Sequence, residues 1–116
     1  MANTDPNLGI TYGWTLGESG WGSAMDANLK RLGATVGLSV KDRDLTTPPA
    51  SPADGDRYIV PAAATGAWAG KANQISVRID GVWEYHAPQT GWLCYIEDEA
   101  KLSAYKSTGW SAGLAI

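Results

Sequence analysis

The sequence contains no phenylalanine, one histidine and one cysteine, and each shortage removes a class of explanation. A lone Cys94 leaves no internal disulfide and no thiolate zinc cluster. His86 is the only imidazole, so a catalytic triad lacks a partner within reach. No apolar run approaches the roughly 18 residues of a membrane-spanning helix, and the opening MANTDPNLG has neither the basic nor the apolar region of a secretory signal. A soluble protein made in the cytosol is expected. The net charge of -3, with no cluster of Lys and Arg, gives no electrostatic footprint for nucleic acid or an anionic membrane. The glycines precede tryptophans rather than a helix, so no phosphate-binding loop is present.

What the chain has instead is six tryptophans and five tyrosines. Both side chains join an apolar body to a polar tip, which suits half-buried surfaces such as interfaces and ligand platforms. Every tryptophan follows a glycine by one or two positions, at Trp14, Trp21, Trp68, Trp83, Trp92 and Trp110. This reads as a turn-plus-anchor device used several times, without the fixed period of a true repeat.

Composition divides the chain in two, residues 1–45 and residues 46–116. The first part begins as a Gly-rich extended arm and continues into one amphipathic helix, with Ser23 as the expected N-cap and Gly33 or Gly37 as the stop. Trp21, Met25, Leu29, Leu32 and Val36 form a single apolar stripe on that helix. An isolated helix of this length is marginal in water. The stripe must therefore dock on its own domain, on sister chains or on another protein. The partner-binding residues expected from this are Trp14, Trp21, Met25, Leu29 and Leu32.

A Pro-rich spacer, DRDLTTPPASPADGD, comes next and reads as extended and semi-rigid. Beyond it, short apolar runs alternate with turn signals: RYIV, QISVRI, VWEYH, WLCYIE and KLSAYK. The fold class expected is α+β, mainly β: an arm with one helix, the spacer, then a small antiparallel meander or barrel of about five to six strands. Asp80-Gly81 is a strong two-residue hairpin signal that pairs Ile79 with Val82 and Arg78 with Trp83. A five-residue loop would then set Tyr85 against Leu93 and Trp83 against Tyr95, and a DEA turn with a strained Ala100 would set Ile96 against Leu102 and Leu93 against Tyr105. In that register Ile75, Val77, Ile79, Val82, Trp92, Cys94, Ile96, Leu102 and Ala104 share the core face. Arg78, Trp83, Tyr85, Tyr95 and Tyr105 gather on the other, as a sugar-binding platform, a protein contact or a second core layer.

Catalytic chemistry has little support. The assumed register puts His86 opposite Trp92 and Cys94 opposite Glu84, which separates the two groups a thiol nucleophile would need. The acidic stretches DRD, DGD and EDE lack the ligand alternation of a calcium loop and read as solvated turns. No catalytic residue, metal ligand or cofactor is expected.

From YGWTLGESGWGSAMDANLKRLGATV through PPASPADGDRYIV, GAWAGKANQI and GWLCYIEDE, the chain resembles a domain of uncharacterised function found in tail-fibre, head-spike and related virion proteins of tailed bacteriophages, prophages and gene transfer agents. The resemblance implies a non-enzymatic virion structural protein, a small fibre or fibre-adaptor module assembled in the host bacterial cytoplasm. It implies a homotrimer that contacts other virion proteins through the arm and helix. The alternative is a host-attachment module that binds surface polysaccharide on the aromatic face.

Overall fold

The computed structural model describes residues 2–116, which fall into two compact units that meet between Val36 and Gly37. In the first unit, β1 (Asn3–Thr4) and β2 (Thr11–Tyr12) form an antiparallel hairpin with Asn3 opposite Tyr12. Asp5 closes its loop: its backbone N–H donates to Ile10 O at 2.7 Å and its carboxylate accepts from Leu8 N at 2.7 Å. A second turn follows, in which Thr15 N donates to Glu18 Oε1 at 2.9 Å and Glu18 N donates back to Thr15 O at 2.9 Å.

The helix α1 runs Trp21–Thr35 and starts earlier than the expected Ser23 cap. Gly20, at φ 84, is the N-cap and makes no side-chain cap bond, while the Ser23 hydroxyl donates to Gly20 O at 3.2 Å from within the first turn. The left-handed conformation that a glycine adopts without strain decides the start here, rather than a capping side chain. At the other end Val36 N donates to Leu32 O at 2.9 Å and Gly37, at φ 61, turns the chain out of the helix, one of the two stops expected.

The second unit contains β3 (Ser39–Val40), β4 (Arg57–Ile59), a 3-10 turn at Gly66–Trp68, β5 (Ile75–Ile79), β6 (Val82–His86), β7 (Leu93–Ile96), β8 (Lys101–Lys106), β9 (Gly109–Trp110) and β10 (Leu114–Ala115). The fold is α+β, mainly β. The strands β4, β5 and β6 make an antiparallel meander, and a second sheet runs β10, β8, β7, β3 with β9 also paired to β8. The two sheets join where Lys41 N donates to Arg57 O at 2.8 Å and Ile59 N to Asp42 O at 3.2 Å. Their shared core is Leu38, Val40, Ile59, Ile75, Cys94 and Ile96, closed by Trp92 and Trp110.

Asp80 and Gly81 take φ 53 and φ 77, the two positive values of a tight hairpin turn, and Ile79 faces Val82 and Arg78 faces Trp83 as expected. The next two pairings differ from expectation. No ladder joins β6 to β7: the inner edge of β7 is taken by β3 in parallel pairing, Ser39 opposite Tyr95 and Val40 opposite Ile96. The β7–β8 turn does strain Ala100, at φ 53, but it consumes Glu97 as well, through bonds from Glu99 N to Ile96 O at 3.2 Å and Ala100 N to Glu97 O at 3.4 Å. Ile96 therefore pairs with Lys101, Leu93 with Ala104 and Cys94 with Ser103. A one-residue slip exchanges the faces. Leu102 and Ala104 leave the core side and Ser103 enters it, fully buried.

Residues 37–45, which composition alone groups with the arm, carry β3 and bond into the sheet. The Pro-rich stretch also lies on this unit. Asp54 accepts from the Asp80 and Gly81 amides at 3.2 and 3.3 Å, Asp56 pairs with Lys41 at 3.0 Å, and Thr65 N donates to Thr46 O at 2.7 Å. A fragment beginning at Gly37 is expected to unfold cooperatively by circular dichroism. One beginning at Ala53 loses Leu38 and Val40, each buried aliphatic contributing about 1.5–3 kcal/mol, and leaves β7 without its neighbour; it is expected to give no cooperative melt.

Candidate partner-binding site

The first unit holds α1 by an unusual face. Asn28 is buried, and its amide bonds both backbone groups of Thr11: Thr11 N donates to Asn28 Oδ1 at 2.9 Å and Asn28 Nδ2 donates to Thr11 O at 2.8 Å. The side chain thus stands where a neighbouring strand would stand. One turn on, Arg31 packs against Gly9, where an added Cβ would come within 3.4 Å of its guanidinium carbon. At these two positions the contact between α1 and its own arm is therefore polar. Much of the apolar stripe is nonetheless exposed: Trp21 is 58% exposed, Leu29 58%, Leu32 37% and Val36 65%.

Burying a large aliphatic or aromatic side chain is worth about 1.5–3 kcal/mol, so the helix forgoes several such gains in the isolated chain. Trp21, Met25, Leu29 and Leu32 share one helix face, with Met25 half-buried. Trp14 stands apart on the arm between β2 and α1, also half-buried. Leu16, at the tip of the Thr15–Glu18 turn, is wholly exposed and Tyr12 is half exposed. Sequence reasoning missed Leu16 because it belongs to no periodic pattern; its only signal is its place inside a glycine-flanked turn.

The five residues read as an aromatic platform are not brought onto one surface. Arg78 does lie over Trp83, 5.6 Å from the ring centroid. Trp83 is also edge-on to Trp68 at 5.3 Å and to Tyr58 at 6.0 Å, in a second core cluster of Tyr58, Val60 and Trp68. Tyr85 donates its hydroxyl to Ala67 O at 2.7 Å and has the Lys71 ammonium 4.9 Å from its ring centroid. Burial pushes the Tyr85 phenol up from its ordinary pKa. The 3-10 turn thus folds Trp68, completely buried, over this face of the meander. Tyr95 and Tyr105 belong to the other sheet, Tyr105 packed on Trp110 at 5.2 Å. The grouping depended on the β6–β7 ladder that β3 replaces, and the residue it lacked was Trp68, whose GAW segment resembles every other glycine-tryptophan turn in the chain.

The reactive side chains lie in separate ladders. Cys94 faces Ser103 and is fully buried, its thiol pushed up to about 12 by burial; His86, also buried, faces Ile75. The acidic turns do meet. Carboxylate oxygens of Asp42, Asp44 and Asp98 lie within 4.8 Å of one another, the grouping among the described residues that could share a cation. Burial, and then Asp42, raise the pKa of Asp98. Between these acids Arg43 grips Glu99 with two bonds, Nε to Oε2 at 2.8 Å and a terminal nitrogen to Oε1 at 2.7 Å, and holds the Glu99 carboxyl below its ordinary pKa. Among the described residues no helix is long and apolar enough to cross a membrane.

Comparison with curated proteins finds no match. Residues 25–111, which take in most of α1 and nearly all of the sheet unit, match a family described as "Protein of unknown function (DUF2793)". The match covers well over half of the chain, and on that extent the chain belongs to the DUF2793 family of proteins of unknown function.

Proposed function

We propose that this chain is a non-enzymatic structural protein of a tailed-phage-like virion, a small fibre or fibre-adaptor module, and that the α1 stripe is its assembly face. The observation that carries the reading is the exposed stripe: α1 meets its own arm through Asn28 and Arg31 and leaves Trp21, Leu29, Leu32 and Val36 exposed. A helix that is to remain exposed gains nothing from such a stripe. The virion setting rests on the resemblance of the GWTLGESGWG arm and the PPASPADGDRYIV, GAWAGKANQI and GWLCYIEDE segments to virion proteins. The reading places the protein in the particle, assembled in bacterial cytoplasm, with sister chains and other virion proteins as partners.

Attachment to host polysaccharide is the less favoured reading. Trp83 and Tyr85 lie under the Gly66–Trp68 turn and already carry Arg78 and Lys71. A sugar ring would have to displace these groups before it could stack.

A homo-oligomer, in the first instance a trimer, is the expected state. Mass measurement over a wide concentration range, with and without a particle partner, checks this, and a strict monomer under both conditions would count against an assembly role. A pair of substitutions separates assembly from folding. Trp21→Ala is expected to abolish oligomerisation or particle incorporation, because a buried interface tryptophan typically contributes about 2 kcal/mol or more. Its melting temperature should stay near that of the wild type. Trp68→Ala removes a completely buried ring from the second core cluster and is expected to cost about 3–5 kcal/mol of stability. Thermal melts of the two variants, measured beside their oligomeric mass, should therefore show opposite patterns.

A further inference from the structure

The chain after Thr108 returns along the outer edge of β8 and changes character halfway. Gly109 and Trp110 are well anchored: they pair with Lys106 and Tyr105, the Trp110 ring packs on Tyr105, and its Nε1–H donates to Asn73 O at 2.9 Å. Ser111 is still tied, since its amide donates to Ala104 O at 2.9 Å and its carbonyl accepts from the Ser103 hydroxyl at 2.8 Å. Beyond it the anchoring thins. Leu114 and Ala115 pair with Leu102 and Lys101, yet Ala112, Leu114, Ala115 and Ile116 are all exposed. Between this segment and the sheet lies an open, mostly apolar groove of about 470 Å³ with Leu93, Leu102 and Ala104 on one side and Ala112 to Leu114 on the other.

Local opening is easiest where few apolar contacts are buried and backbone bonds face solvent, and both conditions hold from Ala112 onward. One side chain from far along the chain works against it. Arg43 donates to Ser111 O and to Ala112 O, each at 2.7 Å, while its remaining bonds go to Glu99. Glu99 is fixed in turn by the β7–β8 turn that strains Ala100. A guanidinium suits this task because its planar fork can satisfy a carboxylate and two carbonyls in one geometry, which an ammonium cannot.

We propose that residues 112–116 open and close on β8 as a strap while the rest of the sheet stays folded, and that Arg43, positioned by Glu99, is the latch that keeps the strap closed. Opening bares the backbone edge of Lys101 and Leu102 together with the apolar floor of the groove. It leaves Trp110 and the core beneath it in place.

Hydrogen exchange read by mass spectrometry on the full chain tests this. Arg43→Ala is expected to speed exchange roughly tenfold or more, as befits the loss of two hydrogen bonds from a charged donor, in peptides covering 101–104 and 111–116. Protection over Ile75–Ile79 and Val82–His86 should be unchanged. Arg43→Lys keeps the charge without the fork and should open the same peptides nearly as much, and Glu99→Gln should open them less. Gly113→Ala perturbs the strap from its own side with Arg43 intact, since a Cβ there would stand 2.9 Å from Lys101 Cβ at φ 101; it should accelerate the same two regions. The proposal is overturned if Arg43→Ala leaves residues 111–116 exchanging at the wild-type rate, or if the meander loses protection together with them. It is equally overturned if Gly113→Ala leaves both regions unchanged.

Discussion

Four consecutive residues, Ser39 to Asp42, join the halves of the sheet unit. Ser39 and Val40 pair in parallel with Tyr95 and Ile96 on one side, and on the other the backbone just beyond them bonds to Arg57 and Ile59. Without β3 the meander and the β7–β8 hairpin would present two bare edges, and the core between them would lose Val40 and its neighbour Leu38. Parallel strands need a long connection before they can pair, so this contact closes late in the chain. The pairing is also the reason that residues 37–45 belong to the sheet rather than to the arm.

The same strand explains what the sequence could disclose. All five apolar runs read as strands become β4 to β8, because each is bounded by strong turn residues and has enough alternation to mark itself. The Asp80-Gly81 register is local and therefore legible: a two-residue turn leaves only one pairing. β3 is two residues long with no period to detect, and its partner lies more than fifty positions away along the chain. Once it takes the edge of β7, every inference built on a β6–β7 ladder changes, including the shared face of Trp83, Tyr85 and Tyr95. The turn at Glu97–Ala100 fails for another reason. DEA and EDEA are equally good turns by composition, and the choice moves Ser103 inward and Leu102 outward.

The helix was readable in the other sense. The spacing of Trp21, Met25, Leu29, Leu32 and Val36 identifies a stripe but carries no information on what covers it. The bonds from Asn28 to both backbone groups of Thr11, with Arg31 against Gly9, show where the arm lies, along the edge of the stripe rather than over it. A polar residue on the inner side of a short helix is a costly choice unless both its donor and its acceptor are satisfied, and here they are. The arrangement leaves Trp21, Leu29, Leu32 and Val36 exposed beside that joint.

That two-way amide also makes the joint between arm and helix depend on a single nitrogen. The asparagine gives one hydrogen bond and receives one, whereas an aspartate at the same position could only receive. Loss of that nitrogen would place a negative oxygen against the Thr11 carbonyl and leave two acceptors facing each other in a site nearly closed to water. One of the two bonds that hold Thr11 to α1 would then be lost, with Arg31 against Gly9 left to keep the arm in place.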